Sequence, residues 1–92
     1  MTVTYDPQEA IRQECDAIKE FLLAKNRAYG NSFADPIGCF SKGSAHEQLN
    51  VRIDDKLSRI MRGDMTEFSA EDTLLDLIGY LILKRVLLRL RR

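Results

Sequence analysis

Leu74-Leu75-Asp76-Leu77-Ile78-Gly79-Tyr80-Leu81-Ile82-Leu83 is the stretch on which the fold reading turns. Asp76 is its one charged residue. It follows Ser69-Ala70-Glu71-Asp72, the pattern of a helical capping box. Basic residues Lys84, Arg85, Arg89, Arg91 and Arg92 follow it, where a helix dipole favours cations. That basic end serves dipole matching and solubility, or else contacts a polyanion. The whole segment therefore reads as one helix to the end of the chain. Leu74, Ile78 and Leu81 fall on one side of it, and Gly79, Leu83 and Val86 on the other. A helix apolar nearly all round must be covered all round. Two further short helices scarcely suffice, so the expectation is a homo-oligomer, most simply a homodimer. It would join through this helix, with Gly79 allowing close approach of the partner.

Two helices precede it. Asp6-Pro7-Gln8-Glu9 supplies an N-cap, a first-turn proline and a capping-box acid. Ile11, Cys15, Ile18 and Leu22 then recur at helical spacing, with Phe21 widening the stripe. The stripe ends near Ala24, and Gly30 with Asn31 breaks the helix. Ser44-Ala45-His46-Glu47 is another capping box, followed by the stripe Leu49, Ile53, Leu57 and Ile60 and a stop at Gly63. Residues 26–43 read as a long loop rich in turn formers, and such loops are often functional. Phe33, Ile37 and Phe40 within it predict that it packs down. No segment has strand periodicity and no repeat appears. The fold class is all-α, a small bundle of three main helices forming a single domain over 1–92, completed by oligomerisation.

Composition narrows the function classes. Of 92 residues, 45% are apolar and 30% charged, as in globular proteins generally. Fourteen basic residues balance fourteen acidic ones, which argues against direct nucleic-acid binding. No run approaches the roughly 18 apolar residues of a membrane span. Met1 to Pro7 lack the basic start and apolar run of an export signal, so the expected location is the cytoplasm. Cys15 and Cys39 lack CxxC spacing and are expected as free, buried thiols. His46, the single histidine, leaves little scope for zinc and reads as structural. No GxSxG, P-loop or GxGxxG is present.

Asp76 is the residue that demands an explanation. Burying an unpaired carboxylate costs several kcal/mol, roughly, even after relaxation. It needs a cation, a metal ion or good hydrogen-bond donors. Asp72 lies one turn earlier on the same face, and Tyr80 one turn later. One reading pairs Asp76 with Arg52, Lys56 or Arg59 of the second helix. The other joins it with Asp72 and with the strip Glu47, Asn50 and Asp54. Glu47, Asp54, Asp72 and Asp76 would then converge between antiparallel helices as an oxygen set for Mg²⁺ or Mn²⁺. Such ions normally accompany phosphate-bearing ligands. Lys25 and Arg27, with Tyr29, suit phosphate contact and base stacking.

Several runs together resemble one family. They are Lys25 to Phe33, Phe40 to Lys42, Glu47 to Arg59, and Glu71-Asp72 with Asp76-Leu77-Ile78-Gly79-Tyr80. The family is the nucleotide modification associated domain 1 family, small proteins frequent in phages and prophages, and the resemblance covers about 20–88. A more distant likeness is to the MazG-like all-α nucleoside triphosphate pyrophosphohydrolases, which carry acidic pairs on consecutive helices. Here Glu47 is followed at i+3 by Asn50, and Asp72 and Asp76 are four apart; both spacings keep one helix face. The resemblance implies a nucleotide or modified nucleotide as ligand. Asp72 and Asp76 become the candidate catalytic residues. Lys25, Arg27, Tyr29 and Asn50, with Arg52, Lys56, Arg59 and Tyr80, become the candidate ligand contacts. The expected function is nucleotide binding, in its enzymatic form an Mg²⁺-dependent pyrophosphohydrolase. The alternatives are a non-catalytic nucleotide-sequestering module and a structural helical adaptor.

Overall fold

The computed structural model describes residues 4–63 and 67–90, without the side chains of 67–72. Within them the chain forms three helices and no strand: α1 (Pro7–Tyr29), α2 (Ala45–Met61) and α3 (Glu67–Leu90). The all-α expectation holds. No helix among the described residues is long and apolar enough to cross a membrane. The carboxylate of Asp72 and the tail Arg91-Arg92 lie outside the described residues. α3 begins at Glu67, ahead of Ser69, so Ser69 sits within the helix rather than capping it.

Local chemistry explains the helix ends. The Asp6 carboxylate accepts a hydrogen bond from the Gln8 amide at 2.9 Å, and Pro7 occupies the first turn. Glu9 turns outward instead, accepting from Arg12 and Gln13 along the helix. At the far end Gly30 is left-handed, with φ 59°, and its N–H reaches the Asn26 carbonyl. α1 thus continues through Tyr29, so Asn26 to Tyr29 are helical and not part of a loop as the sequence suggested. The Asn and Gly that read as turn formers mark a helix cap. In α2 the Ser44 hydroxyl accepts from the Glu47 amide at 3.1 Å, and Gly63 closes the helix with φ 69°.

α3 is the central element. α2 packs against it antiparallel: Lys84 donates to Asn50 at one end, and Lys56 meets Asp76 toward the other. Leu49, Ile53, Leu87 and Ala34 are buried in this seam, with Phe33, Leu77, Tyr80 and Leu83 packed around them. Leu57 remains exposed, because it sits at the edge of its stripe, while Lys56 points inward. α1 leans on α3 through its C-terminal half only. Gly79 makes that approach possible: a Cβ there would lie 2.9 Å from Leu22 Cδ2. The close approach expected of Gly79 is therefore to α1 of the same chain. Within α1 only Ile18 is buried, while Ile11, Cys15 and Leu23 are exposed.

The loop between α1 and α2 divides into two parts. Ser32, Ala34 and Asp35 make turn hydrogen bonds back to Tyr29 and Asn31, and Ala34 and Phe33 pack inward. Ile37 and Phe40 are fully exposed, contrary to the expectation that they pack down. Both cysteines are free, as expected, yet both are exposed and not buried. Cys15 lies on α1 at the edge of an open groove beside α3, and Cys39 lies on the outer loop.

Candidate functional site

The extra turn of α1 creates the site. Phe21, Leu22, Lys25, Asn26 and Tyr29 follow one another at i, i+1, i+4, i+5 and i+8, a single helical face. That face looks across at Asp76, Gly79, Tyr80 and Leu83 of α3, which are spaced in the same manner. Ser32 and Phe33 close one end, and Arg52 enters from α2. Together they enclose a cavity of about 320 Å³. Its volume lies at the lower end of the range for small-molecule sites, roughly 300–1,000 Å³.

Five of the residues named from sequence line this cavity: Lys25, Tyr29, Arg52, Asp76 and Tyr80. Lys56 stands directly behind, bound to Asp76. Others are elsewhere. Arg27 is exposed on the opposite side of α1 from Lys25, two residues along a helix being about 200° apart. Asn50 accepts from Lys84, and Arg59 is exposed outside the lining. Phe21, Leu22, Asn26, Ser32, Phe33, Gly79 and Leu83 complete the cavity; from sequence they read as helix packing or as loop and were not named as ligand contacts. The i, i+4, i+8 run of Phe21, Lys25 and Tyr29 was the available signal, masked by reading Asn26 onward as loop.

Asp76 is held by two ammonium groups. Lys56 Nζ lies 3.0 Å from Oδ2, and Lys25 Nζ lies 3.8 Å from Oδ1. Their environments differ. The Lys56 side chain is 14% exposed and that of Lys25 44%, against 21% for Asp76. Lys25 also rests over the Phe21 ring, 4.8 Å from its centroid. The Lys56–Asp76 pair is thus a part-buried tie between α2 and α3, and Lys25 is a cation at the cavity mouth. Of the three partners considered for Asp76, Lys56 is the one in contact, joined by Lys25 from α1. Around the cavity Lys25, Arg52 and Lys56 outnumber the carboxylate of Asp76. A cleft with such an excess draws anions. Arg52 offers a planar fork suited to phosphate oxygens, and Tyr29 and Phe33 offer ring faces.

Of the carboxylates expected to converge, Glu47 and Asp54 do not join Asp76, and the side chain of Asp72 lies outside the described residues. Glu47 folds back beside Gly43, and Asp54 is exposed on α2 outside the cavity lining. Among the described residues no group of three His, Cys, Asp or Glu side chains is placed to hold a metal ion. Asp76 already faces two ammonium groups, so the described donors do not make up the oxygen set that Mg²⁺ takes. No protein-family profile, curated protein or solved structure matches this chain.

Proposed function

We propose that this chain binds a nucleotide or modified nucleotide in the cavity between α1 and α3, as a module of the phage and prophage nucleotide-modification type. One observation carries the reading. Three of the four runs that resemble the nucleotide modification associated domain 1 family contribute to one cavity: Lys25, Asn26, Tyr29, Ser32 and Phe33 from the first, Arg52 from the third, and Asp76, Gly79 and Tyr80 from the last, while Phe40 to Lys42 stay outside its lining. Lys25 and Arg52 take the phosphates. Tyr29 and Phe33 flank the base. Asp76, fixed by Lys56, holds Lys25 in place until phosphate replaces it as partner.

Hydrolysis is the second reading, favoured by Asp76 standing on the cavity wall one turn after Asp72. It takes Mg²⁺ or Mn²⁺ as cofactor and pyrophosphate as a product. A single panel separates the two. Nucleoside triphosphates are titrated calorimetrically with and without Mg²⁺, and pyrophosphate release is followed in parallel. Saturable binding without release, weakened at least roughly tenfold by Arg52→Ala through its lost charge-assisted bonds, is the expected result. Mg²⁺-dependent release abolished by Asp76→Asn selects the hydrolase. Binding of no nucleotide in the panel overturns both and leaves a helical adaptor.

A further inference from the structure

This chain exposes more surface than its size requires. Its accessible surface is 7365 Å². A compact monomer of 10.6 kDa exposes about 5,500 Å². The surplus, about 1,900 Å², falls within the roughly 1,000–2,500 Å² that each subunit of an obligate dimer buries. The shape agrees. The radius of gyration is 15.8 Å, where a compact chain of this length has about 12 Å.

Much of the uncovered apolar surface is on one side. A groove of about 430 Å³ runs between α1 and α3, with no α2 residue in its walls. Ile18, Leu22, Ile78, Ile82 and Val86 line it. Leu23 on its wall is 46% exposed and Ile82 39%. Next to it Leu74, Leu81 and Leu88, seven residues apart, form an exposed strip along α3. Beyond its end the first half of α1 carries Ile11 in line with Cys15, Ile18 and Leu22 of the groove wall, and Ile11 is exposed. One chain therefore offers a groove lacking a helix and an apolar half-helix lacking a groove. Such self-complementarity is what an isologous interface needs. The formal net charge of zero adds no long-range repulsion between copies.

We infer that a second copy of this chain seats in the α1–α3 groove, the projecting half of α1 from each subunit covering the groove of the other. The seam is thus shared by α1 and α3, and Gly79 itself stays inside the subunit against Leu22. Leu22, Asn26, Phe33 and Leu83 line both the groove and the ligand cavity, so the second copy backs the cavity wall. That last consequence rests on the nucleotide reading; the dimer does not.

Sedimentation equilibrium of the whole chain at micromolar concentration reads the assembly. The expected mass is twice the 10.6 kDa of one chain. A folded parent at 10.6 kDa overturns the inference. The double variant Leu23→Lys with Ile82→Lys changes side chains that the single subunit leaves exposed. It is expected to keep the helical circular dichroism of the parent and to sediment as one chain; a folded variant that remains dimeric overturns the seat. A thiol-reactive dye gives a readout that needs no variant, with Cys39 on the outer loop as internal standard. Cys15 in the groove wall is expected to react roughly tenfold more slowly than Cys39, since an interface of this class shields what it buries. Equal rates at the two thiols in the parent contradict the seat.

Discussion

α1 and α2 have apolar stripes of nearly the same strength, yet they end in different surroundings. In α2, Leu49 and Ile53 are buried against α3, and Lys56 ties the same seam to Asp76. In α1, only Ile18 is buried, and the helix leans on α3 through its C-terminal half, at Leu22 and Lys25 most closely. An amphipathic stripe specifies a helix and the face it must hide. It does not specify what hides it. The α2–α3 pair is an intramolecular core, whereas α1 divides: its last turns wall a largely apolar cavity that carries Lys25, Arg52 and Asp76, and its first half stays exposed, the part that we infer a second copy covers.

The sharpest way to break this contrast is in the core. Leu87 is 0% exposed, and Leu87→Ala is expected to cost about 3 kcal/mol in urea unfolding, from lost burial plus the cavity left behind. Ile11→Ala, made in the monomeric Leu23→Lys, Ile82→Lys background, is expected to change stability by under about 0.5 kcal/mol, as exposed positions do. Comparable losses at the two sites would mean that α1 is packed as firmly as α2.

A middle-sized effect separates the two lysines on Asp76. Lys56→Met removes the close, part-buried partner and is expected to cost about 2 kcal/mol, the scale of a charge-assisted hydrogen bond. Lys25→Met removes an exposed cation 3.8 Å away and is expected to cost at most about 0.5 kcal/mol. In a calorimetric titration with nucleoside triphosphates the Lys25 variant is the one that loses affinity while keeping parental stability. Equal stability losses would show that Lys25 is a structural tie and not a ligand contact.

The smallest effect sharpens the contact between α1 and α3. Gly79→Ala gains helix propensity of about 1 kcal/mol, set against displacement of the Leu22 side chain that the new Cβ meets at 2.9 Å. The net stability change is expected to stay within about 1 kcal/mol, because a side-chain terminus gives way more readily than backbone. Thermal unfolding measures it, and a loss well beyond that would show that α1 cannot yield at Leu22.

Much of this was legible in local chemistry. Asp6 and Ser44 cap helices because their side-chain oxygens reach orphan amides, a property of four consecutive residues. Gly30 and Gly63 end helices because they adopt left-handed backbone at little cost. Asp76 stood out because a carboxylate among leucines needs a partner, and Lys56 was among those offered. What was not legible depends on distant groups. Asn26 to Tyr29 read as loop, since turn formers there resemble a loop as much as a cap; the face Phe21, Lys25, Tyr29 was hidden by that choice. Ile37, Phe40, Cys15 and Cys39 are apolar enough to predict burial, but nothing in their spacing says whether a surface exists to bury them. Gly79 announced a close approach, and only the fold shows that Leu22 of the same chain makes it. The acidic strip of Glu47 and Asp54 followed helical spacing correctly, but spacing on one helix does not fix which neighbour it faces.

Chemical-shift mapping of the backbone amides during titration with a nucleoside triphosphate tests the central claim most directly. The account predicts saturable shifts at Lys25, Asn26, Tyr29, Ser32, Phe33, Arg52 and the Asp76–Tyr80 turn of α3, with the first half of α1 and the residues Glu47, Asn50 and Asp54 left unchanged. No shifts with any nucleoside triphosphate, or shifts centred on Glu47 and Asp54 in place of the cavity, would contradict it.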